Sequence, residues 1–387
     1  MADNKRHHYV PRFYLERFSL DEKRLNLHNL RTNRTIYNAS LKNQCYRNYF
    51  YGQKSHVEHA LAVIEGNAAT LFNGIDKMGC LPSPKSLEHL AMVLYILTQY
   101  ARTLYTAQAT NEQTDKLMKH LAGPKAEAEG IDLNDITIQI NDPASYALNI
   151  AIPLYPILLD MDYKLLLNLS GEQIITSDNP VVLYNQFFSF RQDVSNTGVG
   201  CKGLQIFFPL DHEKLIMLYD HDVYGVGSPN KGVIKIMDRQ DVYSLNTLQM
   251  CSASENVYFR DSAIDIAALR KKANPFLRNH KVNLDLLSKE KIDSGHSELI
   301  TIFYEDIRTN LSLSFVRITK SAKRWREEFC KATSRPAVIA RNQKLCNDNE
   351  EFIKLVNKGE YKPLDFYRYL EDKYKRDGQQ DSSMPHY

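Results

Sequence analysis

The feature that most limits how this chain can fold is a change of hydrophobic period part-way along its 387 residues. Val57, Leu61, Ile64, Ala68 and Leu71 recur at spacings of four and three, which predicts one helix with a single apolar stripe over about His56 to Met78. Ser83-Pro84 joins an N-cap candidate to a proline suited to a first helical turn. The run Leu87, Leu90, Ala91, Leu94, Leu97 and Ala101 then predicts a second helix, packed on the first and reaching about Ala109. From Asp162 the pattern becomes one of short β-prone runs parted by turn residues: 162–168, 173–176, 180–184, 203–210, 214–218 and 256–260, with a helix over 241–250 before the last. A β-meander is the simplest arrangement of these runs. Nearer the start, the alternation in Arg24–Leu30 and the following Arg34–Tyr37 predict a β-hairpin. Residues 111–150 mix a short helix with polar loop, and from about Leu284 the chain reads as helical, with breaks near Ser334-Arg-Pro336 and Gly359.

The expected fold is therefore α+β: an N-terminal β-hairpin and helix pair, a central antiparallel or mixed sheet, and a helical C-terminal extension. The expected division is a core over 1–283, the extension over 284–376 and a frayed polar tail over 377–387. A composition of 43% hydrophobic and 25% charged residues excludes a disordered chain or a coiled-coil rod. The longest apolar stretch, Tyr146 to Met161, is broken by Asn149, Pro153 and Pro156 and is shorter than the about 20 residues that span a bilayer. No membrane partner is expected, and the polar opening lacks the apolar core of a secretory signal, so the expected location is the cytoplasm. Cys45, Cys80, Cys201, Cys251, Cys330 and Cys346 include no Cys-x-x-Cys pair and read as reduced, mostly buried thiols. The net charge is +3, but residues 1–54 carry 11 Lys and Arg against 4 Asp and Glu, and residues 315–345 carry 9 against 2. Brought together, these segments would suit a phosphate backbone; kept apart, they are solvated surface. Self-association is compatible with everything in the sequence.

The densest chemical signal is His7-His8-Tyr9-Val10-Pro11. On an extended segment adjacent imidazoles face opposite ways, so one can ligate a metal while the other takes a proton from water. The alternative is that both only pin the N-terminal segment. Asp178, in Thr176-Ser-Asp-Asn-Pro-Val181, is held at a strand end by a stiff pre-proline backbone; it is either a metal ligand or an Asx-turn residue saturated by backbone donors. Glu58 and Glu65 lie two turns apart on the first predicted helix, and Gln99 and Arg102 three apart on the second. A Glu65–Arg102 pair could be architectural or could hold the guanidinium fork against a phosphate. The catalytic candidates are thus His8, His7, Arg102 and Glu65; the substrate-binding candidates are Arg12, Tyr14, Gln99 and Asn246; the metal candidates are His7 and Asp178, for Mg²⁺ or Mn²⁺. All are expected to converge in one pocket. A basic amphipathic helix around Trp325, with Lys320, Lys323, Arg324, Arg326 and Lys331, either contacts nucleic acid or faces water. Phosphate-cradling glycine motifs and a Gly-x-Ser-x-Gly elbow are absent from the sequence.

The His-His-x-x-Pro run ahead of a hairpin resembles the first half of the His-metal finger (HNH-type) nuclease motif. In that family an Asn and a His follow; here Asn26, His28 and Asn29 sit in the hairpin, and His56 and His59 on the helix. More extensively, His7 to Ser19, Val57-Glu58, Ile64-Glu65-Gly66, Gln99-Tyr-Ala-Arg102-Thr103 and Ile175-Thr-Ser-Asp178-Asn-Pro180-Val resemble the bacterial "domain of unknown function 4238" family over roughly residues 5–262. That resemblance implies one α+β domain and names no reaction. The residue chemistry leads to two expectations: a metal-dependent hydrolase, a nuclease or phosphodiesterase serving as a toxin or defence effector, or a non-catalytic sensor binding a nucleotide or a partner protein.

Overall fold

The computed structural model describes residues 5–53, 56–191, 194–277, 282–292, 295–304, 306–333, 336 and 338–376. The expected frayed tail, 377–387, and the expected break at Ser334-Arg335 lie outside the described residues. The N-terminal part comprises strand β1 (Arg6–His8), helix α1 (Arg12–Glu16), the hairpin β2 (Arg24–Asn29) and β3 (Arg34–Ser40), and strand β4 (Tyr46–Asn48). Helices α2 (His56–Met78), α3 (Leu87–Ala101), α4 (Leu104–Glu129) and α5 (Pro143–Ala151) follow. Next come β5 (Asp162–Asn168), β6 (Thr176–Ser177), β7 (Val182–Tyr184), β8 (Gln205–Pro209), β9 (Lys214–Tyr219), β10 (Tyr224–Val226) and β11 (Val233–Ile236). The chain continues through α6 (Arg239–Ser252), β12 (Asn256–Phe259), α7 (Ile266–Ala273), β13 (Val282–Ile292), β14 (Gly295–Tyr304), β15 (Val316–Ile318), α8 (Lys320–Lys331), α9 (Gln343–Asn357) and α10 (Phe366–Arg376).

The fold is α+β, and its centre is a five-stranded mixed sheet in the order β11-β5-β9-β8-β7, with β11 parallel to β5 and every other pair antiparallel. Side chains alternate across a strand, and here both faces are buried. Leu165, Leu183, Ile206, Phe208, Ile216 and Leu218 enter one apolar cluster, with side chains of α2, α3, α9 and α10. Leu166, Val182, Tyr184, Phe207, Leu215 and Met217 enter another, with side chains of α6, α7 and α8. Burial on both faces explains why these strands read as nearly unbroken apolar runs rather than as alternating ones. A second, four-stranded antiparallel sheet, β3-β2-β12-β6, joins the N-terminal hairpin to the middle of the chain. The meander expectation holds for β7, β8 and β9; β6 leaves to pair with β12, and β5 enters on the far side of β9.

Three sequence readings need correction. Ser83-Pro84 does not open the second helix: Lys85 takes a left-handed φ of 65°, which interrupts a helical path, and Ser86 becomes the N-cap, its hydroxyl accepting from the His89 amide at 3.1 Å. The run read as one helix to Ala109 is two, because Arg102 leaves helical geometry (φ −86°, ψ 1°) and Thr103 caps α4 through the Thr106 amide. Consequently 111–129 is part of a long helix, which ends at Gly130 with a left-handed φ of 69°. The segment from Leu284 is first a β-hairpin, β13 paired antiparallel with β14, consistent with the period-two start Val282-Asn-Leu-Asp-Leu and the β-branched and aromatic residues of Leu299 to Tyr304. Glu112 accepts from the Val282 amide and Lys116 donates to the Val282 carbonyl, fastening that hairpin to α4. Among the free cysteines Cys45, Cys201 and Cys251 are buried, whereas Cys80 and Cys330 are exposed. Among the described residues no helix is long and apolar enough to cross a membrane.

His89, at the start of α3, accepts from the Lys85 amide and lies against Tyr163 at 4.8 Å. Burial pushes its pKa down to about 4. The unfolded chain therefore takes up the proton first: stability is full above about pH 6.5 and falls as the pH drops toward 4, by up to about 3 kcal/mol. Urea unfolding at pH 7 and pH 4.5 should show this slope in the native chain and a reduced one in His89→Gln, which keeps an acceptor without a titration.

Candidate functional site

Strand β1 pairs antiparallel with β4, setting His8 opposite Tyr46 and His7 opposite Arg47. His7 turns inward and is buried, stacked on Tyr51 with ring centroids 5.7 Å apart; its Nδ1 accepts from the Tyr51 amide at 3.2 Å. A neutral imidazole has one ring lone pair, so this bond places the proton on Nε2. Glu58 lies 3.7 Å from the same Nδ1; burial raises its carboxyl pKa, while His7 and Arg102 pull it back. His8 turns the other way and is half-buried, beside the Tyr46 ring at 5.8 Å. Its Nε2 is buried and has no hydrogen-bond partner. The His8 pKa is lowered, first by burial and then by the Arg12, Arg102 and Arg6 charges, against a raising hydrogen bond to the Lys42 backbone.

Arg102 is 2% exposed and binds three groups: Nη1 donates to Glu65 Oε1 at 2.6 Å, Nε to the Tyr51 hydroxyl at 3.0 Å, and Nη2 to the His8 carbonyl at 2.7 Å. One turn earlier, Gln99 donates through Nε2 to the Tyr9 carbonyl at 3.1 Å, and its Oε1 is buried without a partner. His7, His8, Glu65, Gln99 and Arg102 therefore meet, and the break in helix geometry at Arg102 lies at their meeting point. Tyr51 and Glu58 complete the cluster. Tyr51 was not singled out from sequence, although the aromatic run Tyr46, Tyr49, Phe50 and Tyr51 after the hairpin was the available signal.

Asp178 is held by a different set of bonds. Its Oδ1 accepts from the Ser254 amide at 2.8 Å and its Oδ2 from the Glu255 and Asn256 amides at 2.7 and 3.0 Å, which fixes the turn between α6 and β12. Burial raises its pKa to about 6 despite these donors. It is electrostatically coupled to Tyr9 and Cys45, the neighbours of the histidine strand, and among the described residues no hydrogen bond or ion pair joins it to either imidazole. His7 presents its one lone pair to a backbone amide, and Asp178 accepts from three backbone amides. Among the described residues no group of three or more His, Cys, Asp and Glu side chains is placed to hold a metal ion.

The remaining candidates divide clearly. Arg12 is exposed, 3.9 Å from Glu16. Tyr14 is fully buried, its hydroxyl donating to the Pro209 carbonyl and bonded to Thr176, which leaves it no route to a substrate. Asn246 is buried and spends its amide on the Gln173 carbonyl and the Ile175 amide. In the hairpin, Asn26 donates to the Arg260 carbonyl, His28 bonds Thr35 and Asn29 bonds Asn256, so these residues serve the four-stranded sheet.

The segments that carry the resemblance, the His-His strand, the Gln99–Arg102 turn and the Asp178 turn, are thus fixed in one fold. A family model described as "Protein of unknown function (DUF4238)" matches residues 6–263. The chain belongs to that family. No curated protein and no solved structure matches it. The boundary of the DUF4238 match leaves the chain from α7 to α10 outside, although α9 and α10 share the apolar cluster of the matched residues.

The Arg102 hub generates a stability test. Arg102→Met leaves Glu65 and Tyr51 without their partner and should cost about 3 to 5 kcal/mol; Arg102→Lys keeps the charge but not the fork and should cost about 2 kcal/mol. Urea unfolding measures both, and two variants as stable as the native chain would show that the hub does not hold these segments.

Proposed function

We propose that the His8 face binds a phosphate-bearing ligand and that His8 acts there as a proton acceptor, making this DUF4238 chain a nuclease or phosphodiesterase. The observation that supports this is the buried, unpartnered Nε2 on the half-buried ring of His8, which lies within the field of Arg6, Arg12 and Arg102. Positive charge draws in the phosphodiester and, by disfavouring imidazolium, keeps the ring in the form that accepts a proton. In the proposed step Nε2 takes a proton from an attacking water as its oxygen bonds to phosphorus. The bond to the leaving oxygen breaks, and that oxygen regains a proton from the imidazolium or from solvent. Arg102 positions the strand through the His8 carbonyl, and Arg6 and Arg12 are exposed cations on either side of His8 in sequence that could meet the anion. The proposed step uses no metal, and the chelator, Mg²⁺ and Mn²⁺ arms of the assay test for one. A toxin or defence role would follow from such an activity.

The second reading, a sensor that binds a nucleotide or a partner without turnover, is favoured by the saturation of His7, Asp178 and Tyr14. The assay that separates the two incubates the purified chain with plasmid DNA, RNA and a chromogenic phosphodiester, each with chelator, Mg²⁺ or Mn²⁺. The hydrolase reading expects turnover that is flat from pH 7 to 8, declines only below about 6.5, and falls by about 100-fold or more in His8→Ala with little change in melting temperature. Binding without turnover under every condition would support the sensor.

A further inference from the structure

We propose that the exposed face of α8 is a separate docking surface for the phosphate backbone of nucleic acid, on residues outside the 6–263 family match. At 3.6 residues per turn, Lys320, Lys323, Arg324 and Lys331 fall within about 100° of one another around the helix. All four are exposed, and among the described residues none has a carboxylate within ion-pair distance, although Glu327 shares their stripe. This differs from the internally paired cations of the fold. Arg17 and Lys214 share Asp76 and Asp211, and Arg341 is buried on Asp160, so those charges are neutralised internally. Arg17, one of the cations of the basic 1–54 segment, is therefore already engaged.

The opposite face of α8 identifies the class of partner. Ala322 and Phe329 are buried, and Trp325 stacks on Phe329 at 5.1 Å and packs against Phe187 and Phe188. The apolar side is consumed by the fold, so α8 offers no hydrophobic face to enter a lipid surface, where an interfacial helix needs one. What remains is a line of point charges on long, flexible stems. Such a line suits a polyanion with a regularly charged backbone, and binding would release counter-ions from it. The surface uses none of the His8 residues and stands without the hydrolase reading.

The test measures binding of the full chain to labelled DNA and RNA of about 20 nucleotides, single-stranded and duplex, at about 50 and 200 mM salt. Anionic phospholipid vesicles and polyglutamate serve as competing probes. Binding should weaken by about 100-fold across that salt range, and Lys320→Glu, Lys323→Glu and Arg324→Glu together should lower the low-salt affinity at least ~10-fold and reduce the log–log salt slope by about 3. The corresponding Gln variant, less disruptive to folding, should move both readouts in the same direction. The inference is overturned if the native chain binds no nucleic acid at low salt, if the folded charge variants bind with the native slope, or if vesicles or polyglutamate are preferred. Salt-steep binding without hydrolysis would sustain it while removing the reading of His8.

Discussion

The guanidinium of Arg102 is the interaction on which the N-terminal architecture depends. It joins the carbonyl of β1, the side chain of α2 and the hydroxyl that follows β4, three segments separate in sequence. A buried guanidinium needs its hydrogen-bonding directions filled, and filling them from three segments fixes their mutual placement to within a hydrogen-bond length. Gln99 repeats the grip one residue along the same strand, on the Tyr9 carbonyl. The Gln-x-x-Arg and His-His motifs are therefore one mechanical unit: the first holds the backbone of the second, which leaves the imidazoles to point where the strand directs them.

Much of the fold was legible in the sequence because burial imposes periods. The stripe from Val57 to Leu71 belongs to one helix over His56–Met78, and the β-prone runs from Asp162 to Phe259 became strands because only extended segments bury alternate residues on two faces. What escaped were local backbone events with no period. The left-handed Lys85 and the kink at Arg102 shift helix boundaries without disturbing the apolar spacing on either side. The hairpin over 282–304 was missed because a short apolar run can serve a helix or a strand, and pairing between two distant runs decides which.

The candidate site was legible as a set of residue types and illegible as a set of bonds. His7, Asp178 and Tyr14 carry groups that chemistry would choose for a ligand or a substrate, yet each is turned toward protein partners. A sequence shows which polar groups exist; satisfaction is a property of the whole fold, since the great majority of buried donors and acceptors find a partner somewhere. Among the candidates, His8 Nε2 and Gln99 Oε1 are left without one, and of the two only the imidazole can take up and release a proton.

The apolar cluster that contains Tyr9, Tyr14 and Phe72 also contains Leu345, Phe352, Phe366, Tyr369 and Leu370. During synthesis the first of these residues leave the ribosome hundreds of positions before the last. Until α9 and α10 emerge, the N-terminal strand, α2 and α3 present an incomplete apolar surface, and the whole intervening chain must be made before it can be covered. The structure thus ties completion of its first core to the synthesis of α9 and α10, and a nascent chain that stalls between the family boundary and α9 leaves that apolar surface uncovered.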